Sequence, residues 1–267
     1  MNKLTLTSCM AGNADPFVKK LTEYLATKLQ LPMTSTLDIS WQEREQKFDN
    51  GEIQICWICG LPYAWKADST GSEIELLATP VLEASRYQNK AVYYSDIMVP
   101  AESDIQTFDD LQGASWAYNE PNSHSGSYLM RSHLAALGLD SRYLGKVIES
   151  GAHQESIKML LNRDIDASAI DSWVFELELA NDPSLATRLR VIETLGPSGF
   201  PPFIISKQVP EHLRQTLRSA MLAMDKDPLG REILDSVKIS HFTQNGDRDY
   251  DSIREMAKLA QQVEWSK

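Results

Sequence analysis

Cysteine is scarce in this chain, three residues in 267. That is too few for a disulfide framework and short of the Cys or Cys/His sets that hold structural zinc. No apolar run approaches the roughly 18 residues that argue for a membrane helix. Positive charge is also thin: 26 Lys and Arg stand against 37 Asp and Glu, a net charge of -11. With no basic stripe, nucleic acid and anionic membrane surfaces are excluded as main partners. The N-terminus lacks the apolar segment of a secretory signal, because Met1-Asn2-Lys3 runs directly into an expected strand. A removed leader and a cytosolic protein both stay open on that ground. What the chain has is 42% hydrophobic residues, which at this length fill two compact cores.

The pattern alternates strands and helices. The first half reads as a strand at Leu4 to Ser8, a helix from Asp15 to Leu29, a strand at Met33 to Ile39, a helix from Trp41 to Asp49 and a strand from Ile53. The second half repeats that order: a strand at Ala114 to Tyr118, a helix from Gly126 to Leu137, a strand at Lys146 to Glu149, a helix from His153 to Asn162 and a strand from Asp166. Asp15-Pro16 supplies an N-cap and first-turn proline before Phe17, Leu21, Leu25 and Leu29. Such alternation predicts an α/β fold of two similar lobes with parallel sheets covered on both faces. The long strand Ala91 to Val99 and the segment Gly196 to Pro202 are the expected hinge crossings. Residues 1–95 and 199–267 then form lobe 1, with the return strand at Phe203 to Ile205 and two C-terminal helices, and 96–198 form lobe 2. In open α/β sheets ligands bind beyond the carboxyl ends of strands, so facing lobes predict a site in the cleft between them.

The richest segment is Tyr118-Asn119-Glu120-Pro121-Asn122-Ser123-His124-Ser125-Gly126-Ser127-Tyr128. Its end starts a helical pattern in which Met130, Leu134 and Leu137 recur until Gly138 stops it. A single serine there would be an N-cap satisfying orphan N–H donors. Three serines around one glycine exceed that need, and a helix start offers donors and a positive dipole end to an anion.

Several segments together resemble the phosphonate, phosphite and phosphate-binding proteins of bacterial ABC importers, the PhnD-like group with the type II periplasmic binding-protein fold. They are Ile55 to Tyr63, Ala91 to Asp96, Tyr118 to Gly126, Ser150 to Ile157 and Asp166 to Ser172. The resemblance implies that Ser123, His124, Ser125 and Gly126 hold an oxyanion, that His153 joins them from the next helix, and that Tyr63 and Tyr93 are cleft aromatics. Asp171, at a strand end, is a further ligand candidate or a holder of hinge backbone. The group's aminoalkylphosphonate binders carry an acidic residue near the second crossing, where this chain has Ser198-Gly199-Phe200-Pro201-Pro202. A smaller or uncharged substituent is therefore expected. The implied protein is a monomer that takes no cofactor, is exported to the periplasm or an extracytoplasmic membrane surface, and hands its ligand to an ABC permease.

Two other readings stand beside this one. The same fold type hosts enzymes such as thiamine-pyrimidine synthases, with Ser125 and His153 conceivable as nucleophile and base; no orienting third group or nucleophile elbow is evident. A sensor module would use the same cleft. Cys56 and Cys59 form a Cys-x-x-Cys that would suggest redox chemistry if it followed a strand and opened a helix. Its place on an apolar strand reads instead as packing.

Overall fold

The computed structural model describes residues 3–265 and divides the chain into two compact units. The first begins with β1 (Leu4–Ser8), α1 (Asp15–Leu29), β2 (Met33–Ser35), α2 (Trp41–Asp49), β3 (Ile55–Trp57), α3 (Gly60–Asp68) and β4 (Ile74–Leu82). β5 (Val92–Pro100) enters the second unit, which continues through β6 (Trp116–Tyr118), α4 (Leu129–Ala136), β7 (Val147–Glu149), α5 (His153–Asn162), β8 (Ala167–Asp171), α6 (Ser172–Asn181), α7 (Leu185–Arg188) and β9 (Leu189–Gly199). The chain then returns to the first unit with β10 (Phe203–Ser206), α8 (Glu211–Leu222), α9 (Pro228–Asp235) and β11 (Ile239–Thr243). A final helix, α10 (Asp251–Ala260), belongs to the second unit.

This last placement corrects the expected division. The chain passes between units three times, at Val92/Tyr93, Ser198/Gly199 and Tyr250/Asp251, and the C-terminal helix serves the second core. The cause is its apolar stripe. Met256 packs on the cluster of Leu129, Met130 and Leu134, Val263 is part of that cluster, and the Val263 carbonyl accepts from Arg131 Nε at 2.6 Å.

The sheets are mixed, where parallel ones were expected. In the first unit the order is β11-β4-β10-β3-β1-β2. Only β2, β1 and β3 pair in parallel; β10 returns antiparallel between β3 and β4, and β11 pairs antiparallel with β4. Trp57 anchors this core, with Phe203 stacked at 4.9 Å and Phe17 edge-on at 5.5 Å. The second sheet runs β7-β6-β8-β5-β9, with β6 parallel to β7 and β8, and β5 antiparallel to β8. Successive side chains of a strand point to opposite faces, and the two clusters of this unit follow that rule. Ile97, Val99 and Ala169 face α4, while Met98 and Ile170 face Ile157 and Leu160 of α5. Helices thus cover both faces, and the ends of the parallel strands β6 and β8 lie at one edge of the sheet.

Among the described residues no helix is long and apolar enough to cross a membrane. Nor does any group of three or more His, Cys, Asp or Glu side chains stand where it could hold a metal.

Candidate functional site

The hydroxyl-rich loop leaves β6 and enters a helix with one wide turn. Tyr128 N donates to Ser123 O at 3.0 Å and Leu129 N to His124 O, both five residues back, so His124–Tyr128 is a π-helical turn that runs into α4. The helix therefore starts two residues earlier than the Gly126 expected from sequence. Single π turns inside helices recur at functional sites. Ser123 is its N-cap, accepting from Gly126 N at 3.2 Å. Its hydroxyl can still donate one proton while it accepts. Replacing Ser123 by Ala is expected to lower stability by about 1 kcal/mol, read as a shifted urea midpoint of the ligand-free protein.

Two strand residues fix this turn. Ser95 Oγ, on β5, donates to the Ser125 carbonyl at 2.7 Å. His124 Nε2 lies 2.9 Å from Ser198 Oγ, on β9, and the His124 ring sits 6.4 Å from that of Tyr93. The loop is thereby fastened to both long strands of its own unit. Ser127 is spent on the rear wall, where its hydroxyl accepts from Trp265 Nε1 at 2.9 Å. Trp265 stacks at 5.6 Å on Tyr118.

Ser125 makes the contact with most chemical content. Its Oγ stands 3.1 Å from His153 Nε2, at the first residue of α5, and both side chains are buried. Gly126 completes the arrangement because no side chain fits there: a Cβ would lie 1.8 Å from Asn119 Oδ1 and 3.2 Å from His153 Cε1. That buried Asn119 oxygen has no hydrogen-bond partner among the described residues.

Burial sets the protonation states. It lowers His124 to about 3. It lowers His153 to about 4, and an interaction with the Ala169 carbonyl only partly offsets this. Both imidazoles are neutral at neutral pH, so the cluster presents hydroxyls, amides and dipoles and its two imidazoles carry no formal charge.

Of the eight residues expected from sequence, Ser123, His124, Ser125, Gly126 and His153 come together in the second unit, with Tyr93 against His124. Asp171 is in the same unit, opposite Ser95 in the β5/β8 ladder. Its Oδ1 accepts from Trp173 N at 2.9 Å and Val174 N at 3.2 Å, capping α6. Burial raises its carboxyl to about 7 against the lowering effect of those two bonds. Tyr63 belongs to the first unit. It lies buried there, where its hydroxyl donates to Asp247 Oδ1 at 2.8 Å and its ring meets Tyr250 edge-on at 4.7 Å. Ser95, Ser198 and Asn119 act on the site without having been singled out from sequence. Asn119 lay inside the quoted loop, and Ser95 and Ser198 on the quoted crossings, but nothing local marks a serine on a strand as a support.

A family model described as ABC transporter, phosphonate, periplasmic substrate-binding protein matches residues 14–250. The chain belongs to this family. A curated relative, the probable ABC transporter phosphite binding protein PhnD1 of Prochlorococcus marinus (strain MIT 9301), is 20% identical over 223 residues, 81% of this chain and 74% of the relative. The crystal structure of PhnD1 in complex with methylphosphonate superposes with a TM-score of 0.84 at 17% identity, over 96% of this chain and 97% of that one. A binding protein component of an ABC phosphonate transporter from Pseudomonas aeruginosa also gives 0.84, at 14% identity over 97% and 86% of the two chains. The fold is that of the type II periplasmic binding proteins.

Proposed function

We propose that this chain is the solute-binding component of an ABC importer and that the start of its π turn, with His153, holds a small tetrahedral oxyanion such as phosphonate, phosphite or phosphate. The reading rests above all on the buried Ser125 Oγ to His153 Nε2 contact of 3.1 Å at a helix start crowded to Cβ contact by Asn119. Helix-start N–H groups have no intrahelical partner and favour negative charge. Each hydrogen bond to a charged group contributes about 1.5 to 3 kcal/mol. Four or five of them cover the roughly 8 kcal/mol of micromolar binding before association costs. Neutral donors suffice, which accords with the absence of a lysine cluster in the chain's pattern.

An enzyme built on Ser125 and His153 is disfavoured by the same geometry. A general base works best with a pKa near the operating pH, and burial holds His153 at about 4. No carboxylate orients this imidazole from behind: its buried Nδ1 has no hydrogen-bond partner among the described residues. Bound ligand recovered chemically unchanged after prolonged incubation is the expected outcome; release of a cleaved or rearranged product would restore the enzyme reading. The ABC permease partner, the periplasmic location and a monomeric state belong to the same proposal. Ser198-Gly199-Phe200-Pro201-Pro202 carries no carboxylate to receive an amine, so small substituents are favoured.

Ser125→Ala tests the site. Calorimetric titration with phosphate, phosphite and methylphosphonate should show a ten- to hundredfold weaker Kd for the best of the three, about 1.5 to 3 kcal/mol, a loss measured apart from the lower ligand-free urea midpoint that follows from leaving the buried His153 Nε2 without its partner. Unchanged affinity for all three would remove Ser125 from the site.

A further inference from the structure

The sequence pairs Cys56 with Cys59, three residues apart, but the fold pairs Cys56 with Cys9. Their sulfurs lie 3.5 Å apart across 47 residues of sequence. Cys56 is buried in the centre of β3, and Cys9 follows the end of β1, half-buried, its N–H donating to the Trp57 carbonyl at 2.8 Å. The neighbouring backbone is held firmly. Arg44 Nη1 donates to Ser8 O at 3.0 Å and to Asp15 Oδ1 at 2.8 Å, Nη2 to Asp15 Oδ2 at 2.9 Å, and Nε to Ile39 O at 2.8 Å. The Cys9 thiol also points toward the Trp41 carbonyl, 3.7 Å away. Cys59 is the N-cap residue of α3, so the Cys-x-x-Cys runs from the middle of a strand to the start of a helix. The Cys56 sulfur meets that of Cys9, a partner distant in sequence.

We propose that Cys9 and Cys56 are an oxidation site, a thiol pair that forms an intramolecular disulfide on exchange with an external disulfide oxidant. Cys9, the more accessible member, attacks one sulfur of the oxidant as thiolate and expels its first thiol, leaving a mixed disulfide on Cys9. The Cys56 sulfur loses its proton, attacks Cys9 Sγ and expels the second thiol. Two protein thiols become one disulfide, and the oxidant's disulfide becomes two thiols. The order of events follows from access. It also follows from the raised thiol pKa of Cys56, which burial and the adjacent Cys9 make a poor first nucleophile. An oxidising compartment such as the periplasm, where the family is placed, supplies such oxidants. The bridge would join the exit of β1 to β3 at the core of the first unit, independently of any ligand.

The test uses the full chain, reduced and then exposed to oxidised glutathione. After denaturation without reductant and treatment with iodoacetamide, one cysteine should be alkylated where the reduced control shows three. Intact mass before alkylation should fall by about 2 Da, as two hydrogens leave when one S–S bond forms, and peptide mapping should join Cys9 to Cys56. The oxidised form should also melt a few degrees higher, reversibly with reductant. Cys59→Ser should keep the cross-link, and Cys9→Ser, a half-exposed substitution, should abolish it even if Cys56→Ser does not fold. Three alkylated cysteines after oxidation, or a bridge that includes Cys59, would overturn the proposal.

Discussion

Gly126→Ala should reduce affinity for methylphosphonate a hundredfold or more, the largest effect expected from any single methyl group in this protein. The added Cβ would meet Asn119 Oδ1 at 1.8 Å and Asn119 Cγ at 2.8 Å, so the whole carboxamide has to leave, with His153 Cε1 closing the other side at 3.2 Å. Overpacking of this kind costs about 1 to 3 kcal/mol, and displacing His153 from Ser125 adds the loss of a ligand-facing arrangement. The sign is informative. Alanine is favoured over glycine inside a helix by about 1 kcal/mol, so without the collision the variant would be more stable than the parent. Combining it with Asn119→Ala should restore part of both stability and binding, a coupling that a double-mutant cycle isolates. Binding within threefold of the parent by Gly126→Ala alone, a loss under about 0.7 kcal/mol, would show that nothing at this helix start depends on the close approach.

Acidification is the second large effect. His124 and His153, near 3 and 4 in the folded protein, titrate near 6.5 when unfolded. The unfolded chain therefore binds two protons that the folded one refuses, and stability is lost as pH falls below about 6.5. Asp171 has the opposite sign. Its folded value is near 7 against about 3.9 unfolded, so its contribution is fully present below about 4 and is lost as pH rises through 7. Between those limits two protons taken up by the unfolded chain oppose one held by the folded chain. The net slope is about 1.4 kcal/mol of stability lost per unit of acidification. Urea unfolding at pH 6.5, 5.5 and 4.5 measures it. Asp171→Asn, which keeps a capping side chain for α6, should steepen the decline, and His124→Asn should flatten it. A flat profile would mean that the buried imidazoles accept protons in the folded state.

Helices with strong local signals were legible to the residue. Asp15-Pro16 marked the start of α1 and the apolar spacing carried it to Leu29, although Asp15 is the first helical residue and not the expected cap, its carboxylate accepting from Arg44 instead; α2 and α5 were equally clear in their patterns. The wide turn at His124–Tyr128 was not legible, because hydrogen bonds five residues back leave no periodic mark over a single turn. α3 was missed since Gly60 and Pro62 in its first turn dilute a helical pattern. β4 was masked by Pro80, which sits inside the strand opposite Phe242. The site was legible where residues were adjacent in sequence, as from Ser123 to Gly126. Its supports come from β5, β9 and the segment after α10, and only the fold brings Ser95, Ser198 and Trp265 to the loop. Asp171 shows the limit from the other side: its type and place suggested a ligand or a holder of hinge backbone, and nothing in the sequence marked its Oδ1 as the cap of α6.

The membership of α10 in the second unit bears on how the protein is made. The hydroxyl-rich loop is translated well over a hundred residues before the segment that walls it. Ser127 waits for Trp265, and Arg131 for the Val263 carbonyl, until the whole of the first unit has been synthesised. On the ribosome, then, neither unit is complete when its first stretch emerges, and the second is finished last. A nascent chain has no wall behind its hydroxyl-rich loop until α10 and the segment after it dock.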